Sequence, residues 1–216
     1  MHCTESRHRT TGILRLAVTA LLLMTFSACS SLRSVTNTVP KDPDSQQLRT
    51  ENPYLANAKR APKEVSAAMA QAHQSFIGGD SASAETQLVQ ITERWPKLSG
   101  PWLNLGIVQQ KARQAEAAEN SFRQAIKVND NNVFAWNQLA ALLRDLGRFD
   151  EAEQSYLEAL ERWPDYSDAH RNLGILYDLY LNRPGDALQQ FRLAQSSREE
   201  PDKLLDGWIL ELERRT

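Results

Sequence analysis

Cysteine occurs only twice in 216 residues, at Cys3 and Cys29, both far from the body of the chain. That excludes a disulfide framework and a thiolate-based zinc site inside the fold. Histidine is almost as scarce, with only His73 and His170 beyond residue 28. A protein metal site needs three or four donors close together, and no His/Cys cluster supplies them. There is no Gly-rich phosphate loop. No Lys/Arg-rich run follows the N-terminus, and beyond residue 28 there are 22 basic and 26 acidic residues. An electrostatic footprint for nucleic acid is therefore missing. With no nucleophile, base or metal constellation in view, the expectation is a non-enzyme with no cofactor, no metal and no small-molecule substrate.

What the N-terminus does contain is a targeting pattern. Arg7, Arg9 and Arg15 precede "LAVTALLLMTFSA", 13 uncharged residues at 16–28. A basic start, a short apolar stretch and small residues make a bacterial secretory signal. The stretch falls short of the ~20 residues a membrane span needs. It ends in Phe26-Ser27-Ala28-Cys29, which resembles the lipobox of bacterial lipoproteins. Phe26 stands where Leu is preferred. The resemblance implies a signal peptide over 1–28, removed so that Cys29 is acylated and anchors the chain to the membrane. Ser30 follows in place of the Asp that retains such proteins in the inner membrane, so outer-membrane sorting is expected. Residues 29–62 form the lipidated N-terminus and a flexible tether, because Ser, Thr, Asn, Gln and Pro dominate and apolar periodicity is missing. As a coil it would span about 30 Å, and about 110 Å at full stretch.

Trp and Pro number only 5 and 9 in the chain, yet "ERWP" occurs at 93–96 and again at 161–164. The separation is twice 34. On a 34-residue period Trp102 aligns with Trp136 and His170, Leu105 with Leu139 and Leu173, and Gly106 with Ala140 and Gly174. Ala118, Phe122 and Ala125 recur as Ala152, Tyr156 and Ala159, then one residue late as Ala187, Phe191 and Ala194. Spacings of i, i+3, i+4 and i, i+4, i+7 put each set on one face of a helix. Two helices per period, with small residues where they approach and an aromatic ring between neighbouring pairs, resemble the tetratricopeptide repeat (TPR). The copies are 65–98, 99–132, 133–166 and 167–201, forming a TPR domain over 65–201. The last copy carries one extra residue, assigned to its turn "LNRPGD". Residues 202–216 form a capping helix and tail, with Leu205, Trp208 and Ile209 on the covering side. The expected fold is all-α, a TPR superhelix (α-solenoid) of about four helix pairs with a C-terminal capping helix. His170 is assigned to packing, as a stand-in for Trp. Glu116, Glu119, Glu151 and Glu153 are assigned to solvated faces.

The resemblance implies a concave groove lined by the first helix of each repeat. The family's groove positions fall on Asn104, Ile107, Gln110 and Lys111, then Phe134, Asn137, Gln138, Ala141 and Arg144, then Arg171, Asn172, Ile175 and Asp178. Asn104, Gln138 and Asn172 are equivalent, and an amide both donates and accepts, so this row can hold an extended peptide backbone. Lys111, Arg144 and Arg171 can meet acidic groups. Leu103, Ile107 and Asp168 stand where the chaperone-binding members carry their carboxylate-clamp residues, which disfavours a chaperone tail as ligand. The expected partners are proteins or extended peptides of the cell envelope, bound at the outer membrane and facing the periplasm. The segments "SGPWLNLGIVQQ" and "NLGILYDLYLNRPGDALQQF" look similar to TPR proteins of TonB energy-transduction systems. The alternative is an assembly factor, pilotin-like or barrel-assembly-like, for an outer-membrane complex.

Overall fold

The computed structural model describes residues 49–57 and 61–216. The expected signal peptide, Cys29, and residues 30–48 and 58–60 of the expected tether lie outside the described residues. Ten helices are present among the described residues: α1 (Pro53–Ala56), α2 (Lys63–Ile77), α3 (Ser81–Arg94), α4 (Ser99–Lys111), α5 (Ala115–Val128), α6 (Val133–Asp145), α7 (Phe149–Arg162), α8 (Ser167–Ile175), α9 (Pro184–Ser196) and α10 (Lys203–Arg215). Helices α2 to α9 form four antiparallel pairs stacked in chain order, and α10 packs on α9 as a cap. The fold is a TPR superhelix. None of these helices is long and apolar enough to cross a membrane.

The pairing depends on one contact repeated along the stack. Gly106 of α4 faces the ring of Phe122 of α5 so closely that a Cβ there would lie 2.5 Å from Phe122 Cε1. Gly174 of α8 meets Phe191 of α9 in the same way. The middle pair uses Ala140 and Tyr156 at these positions. Phe122, Tyr156 and Ala118, Ala152 and Ala187 are all essentially inaccessible to solvent. Small residues let the backbones approach, and the ring fills the space that remains.

The turn inside each pair is equally regular. Gly79, Arg113 and Gly147 have φ of 87°, 62° and 77°. Each lets the chain leave its helix by a left-handed residue, the usual C-terminal stop. The next residue's N–H reaches back five positions, as in Asp80 N to Ser75 O (2.9 Å), Gln114 N to Gln109 O (2.9 Å) and Arg148 N to Leu143 O (2.9 Å). In the fourth pair the left-handed residue is Asn182, with φ of 51°. Its successor Arg183 reaches back six positions, to Tyr177 O at 2.8 Å. The extra residue of this copy is thus absorbed upstream of the turn, where α8 runs on as a π-helical turn over Leu176–Tyr180. That corrects its assignment to the turn. A π-turn takes in one residue without breaking the helix, and it leaves Pro184 free to open α9 at its first position.

Polar contacts tie neighbouring pairs together with the same period. Glu85 accepts from Gln114 Nε2 (3.1 Å), Glu119 from Arg148 Nη1 (2.6 Å) and Glu153 from Arg183 Nη1 (2.9 Å). Glu151 also accepts from Arg148, at 2.6 Å. Glu119 and Glu153 are therefore ion-paired to the next repeat and shielded, with side-chain exposures of 17% and 23%, and are not freely solvated. Trp102 Nε1 donates to Pro96 O and Trp136 Nε1 to Asp130 O, each six residues upstream. His170 does the same with Nε2 to Pro164 O at 2.8 Å, and its Nδ1 meets Gln190 Oε1 at 2.7 Å. A histidine thus performs the anchoring task of the Trp that it replaces.

The C-terminal helix covers the end of the stack through Leu205 and Leu212, both buried, with Ile209 packed beside them. Trp208 tilts over Phe191 at 5.3 Å but stays 38% exposed, so it rims the cap.

Two outcomes follow for stability. Gly106→Val forces Phe122 from its seat and lowers stability by about 1–3 kcal/mol. Arg113→Gly removes the cost of a left-handed non-glycine residue and raises it by about 0.5–1 kcal/mol. Thermal unfolding followed by circular dichroism checks both, and shifts of opposite sign are expected.

Candidate peptide-binding surfaces

The first helices α4, α6 and α8 carry the sequence-predicted groove residues. Asn172 Nδ2 of α8 donates to Asn137 Oδ1 of α6 at 3.0 Å, which joins two predicted residues across a repeat boundary. Asn137 is buried, at 6% exposure. Its acceptor is satisfied, so it acts by holding Asn172. Asn104 Nδ2 donates to Gly100 O of its own helix at 2.9 Å. Each of Asn104 and Asn172 thus commits an amide N–H within the protein, and no hydrogen bond to either side-chain carbonyl oxygen is present among the described residues. Gln138 is partly exposed between them along the row.

The charged members are partly neutralised. Arg144 meets Asp145 at 2.9 Å and lies 5.9 Å from the Tyr180 ring centre. Arg171 meets Asp168 at 3.4 Å. Lys111 is exposed at the end of α4. Ile175 is half-buried against the core. Ile107 and Asn104 line an apolar hollow of about 250 Å³ with Met69, His73, Phe76 and Ile77. Ile77 is 60% exposed there. The surface is thus apolar at the first repeat and grades into amides and arginines toward the fourth.

Phe134 sits apart from this row. Its ring makes an edge contact with Tyr54 (centroids 6.0 Å apart) and another with Tyr166 (5.6 Å), and Tyr166 stacks on Trp163 at 4.9 Å. Tyr54 belongs to the stretch read as a flexible tether, and here that reading is corrected. Residues 49–57 pack along the inter-repeat turns. Arg49 Nη2 donates to Arg198 O at 2.6 Å. Thr50 N and Oγ1 both donate to Asp165 Oδ2, at 2.5 and 2.7 Å, and Trp163 Nε1 donates to Thr50 O at 2.9 Å. Asn52 caps α1 by accepting from Tyr54 N and Leu55 N. The Tyr54 hydroxyl lies so near Gly100 that a Cβ there would be 3.2 Å away. A polar composition argues against self-folding, but it does not prevent docking on a surface formed by other residues.

Trp163 thus both stacks on Tyr166 and serves as a hydrogen-bond donor to this segment. Trp95 instead lies under the Arg94 guanidinium, 4.5 Å from its ring centre. Asp165 and Thr50 had no signal in the sequence, since they lie 115 residues apart and Thr50 falls outside the repeat pattern.

The comparisons with known proteins agree with this geometry. Residues 100–132 and 133–200 each match a tetratricopeptide-repeat model. The chain contains tetratricopeptide repeats. It is 35% identical over 81 residues to the human protein O-mannosyl-transferase TMTC3, covering 38% of this chain and 9% of that protein. It is 25% identical over 131 residues to the type IV pilus assembly protein PilF of Pseudomonas aeruginosa, covering 59% of this chain and 52% of that protein. The chain thus spans about half the length of PilF and a small fraction of TMTC3. The solved PilF structure superposes with a TM-score of 0.63 at 21% identity, over 70% of this chain and 68% of that one. YrrB, a TPR protein with an unusual peptide-binding site, gives a TM-score of 0.56 at 22% identity, over 69% and 74%. Likeness at these identities concerns the fold.

The Thr50 hydrogen bonds hold the Asp165 carboxyl below its ordinary value of 3.8, against a smaller opposing effect of burial. A depressed carboxyl stabilises the docked state above that ordinary value and releases it as pH falls through the lowered one. The Thr50 amide resonance therefore titrates with a midpoint below 3.8, and Asp165→Asn abolishes the transition. An amide shift that titrates at or above the ordinary value contradicts the contact.

Proposed function

We propose that the protein is a non-catalytic adaptor of the bacterial cell envelope, lipid-anchored through Cys29 at the outer membrane and facing the periplasm. Its inner face takes an extended segment of a partner protein. The observation that carries this reading is the graded row on the first helices. An apolar hollow at Met69, Phe76 and Ile107 leads to the amide side chains of Asn104, Gln138 and Asn172, and then to Arg144 and Arg171. An extended chain presents N–H donors at regular spacing, which fixed acceptors can meet, while apolar and acidic side chains find the two ends. YrrB, of the same fold, carries a peptide-binding site.

Two envelope roles fit such an adaptor. Assembly of an outer-membrane complex is supported by the likeness to a type IV pilus assembly protein over 59% of this chain. A role in TonB-type energy transduction rests on the resemblance of the two repeat segments alone.

Crosslinking followed by affinity recovery from envelope membranes decides between them. Recovery of secretin or barrel subunits supports assembly, and recovery of TonB-complex proteins supports energy transduction. Alanine at Asn104, Gln138 and Asn172 together is expected to reduce recovery about tenfold or more, and undiminished recovery would remove the inner face as the binding surface. Cys29→Ala is expected to abolish incorporation of labelled palmitate and to leave the signal unprocessed, so that a heavier precursor accumulates. A wild-type protein that keeps its signal and takes up no labelled palmitate sinks the lipid-anchor reading.

A further inference from the structure

We infer that the rim of inter-repeat turns is a second peptide-binding site. Its ligand is a segment that is non-helical at a hydroxyl residue and turns into a short helix carrying an aromatic residue four positions later. Residues 49–54 occupy it in cis until a partner's segment of the same chemistry displaces them. This inference is independent of the inner-face reading.

The rim recognises its occupant mostly through groups that any peptide carries. The N–H of Thr50 is taken by Asp165 and its carbonyl by Trp163 Nε1, so side chains from one turn grip both polar atoms of one residue's backbone. Specificity comes from two places. Asp165 Oδ2 also accepts from the Thr50 hydroxyl, which only Ser or Thr can supply. Four residues on, the Tyr54 ring meets the edge of Phe134, with its hydroxyl end against Gly100, where a side chain would crowd it. Phe134 is held in turn by Tyr166, and Tyr166 by Trp163, so the two subsites share one aromatic wall. Main-chain capture plus an aromatic pocket is the usual division of labour in peptide recognition.

The occupant is also held lightly. Its hydrogen bonds to Asp165, Trp163 and Arg198 are all solvent-exposed. Asn52 is 8% exposed, yet its Nδ2 is buried with no partner among the described residues. A buried unmet donor weakens the docked state. A covalently attached segment competes through its high local concentration, roughly millimolar for a short connection. It can therefore fill a site for which it has modest intrinsic affinity, and a partner's segment can take that site.

A fluorescent peptide of residues 47–57 tests this by anisotropy against the full chain in detergent. In the Thr50→Val/Tyr54→Ala chain the cis segment is crippled, and the peptide is expected to bind at least about tenfold more tightly than to the wild-type chain. Adding Asp165→Asn to that chain is expected to weaken binding about tenfold. A peptide carrying Tyr54→Ala is expected to bind the Thr50→Val/Tyr54→Ala chain about tenfold more weakly than the unaltered peptide does. Equal binding to both chains, or no binding to the crippled chain up to about 1 mM, overturns the inference. So does a wild-type dimer in light scattering that the double substitution dissolves, because the copies would then be exchanging segments.

Discussion

An aromatic ring seated over a residue without a side chain governs how close the two helices of a repeat can come. Phe122 over Gly106 and Phe191 over Gly174 set that distance at two levels of the stack. The ring belongs to the second helix, but it also lies toward the next pair, so one side chain sets both the width of a repeat and the surface on which the following repeat rests. A ring of this size contributes about 3–5 kcal/mol relative to a truncated side chain. A solenoid has no central core that could compensate, since each unit touches only its neighbours. The placement of the amide row on the first helices and of the turns along the rim both follow from that distance.

The polar contacts between repeats have a different character. The pairs Glu85–Gln114, Glu119–Arg148 and Glu153–Arg183 link the second helix of one repeat to the turn of the next. Individually such partly exposed contacts are worth little. They recur at the same place in each repeat, so each second helix is joined to the turn of the repeat that follows it. Residues 49–57 depart from this nearest-neighbour scheme. They touch the last repeat at Arg198, the third turn at Trp163 and Asp165, and the second and third repeats at Gly100 and Phe134, and so span several units at once.

The 34-residue period made the architecture legible from sequence alone, since Trp102, Trp136, Leu105, Leu139 and their partners report helix faces and pairing directly. The groove residues were legible only as positions. Which amide would spend its donor internally depends on side-chain contacts such as Asn172 to Asn137, which no spacing encodes. The docked segment was illegible for a stronger reason. Thr50 and Asp165 are 115 residues apart, and the stretch around Thr50 has no periodicity of its own. The extra residue of the fourth repeat could be counted but not located, because a π-turn and a longer loop shift the downstream pattern equally. The shielded carboxylates Glu119 and Glu153 read as surface because their cations arrive from the next repeat.

The docked segment also decides where tension enters the domain. Arg49 rests on the last repeat, beside Arg198 and Glu199, although α2 of the first repeat begins at Lys63, soon after it in sequence. A pull from that side loads the Thr50 contacts with Asp165 and Trp163 before any helix pair. Once those contacts part, the point of attachment moves along the rim to the opposite end of the stack. A tethered body would then turn end for end without a change in its fold, with the rim contacts acting as a mechanical fuse between two orientations.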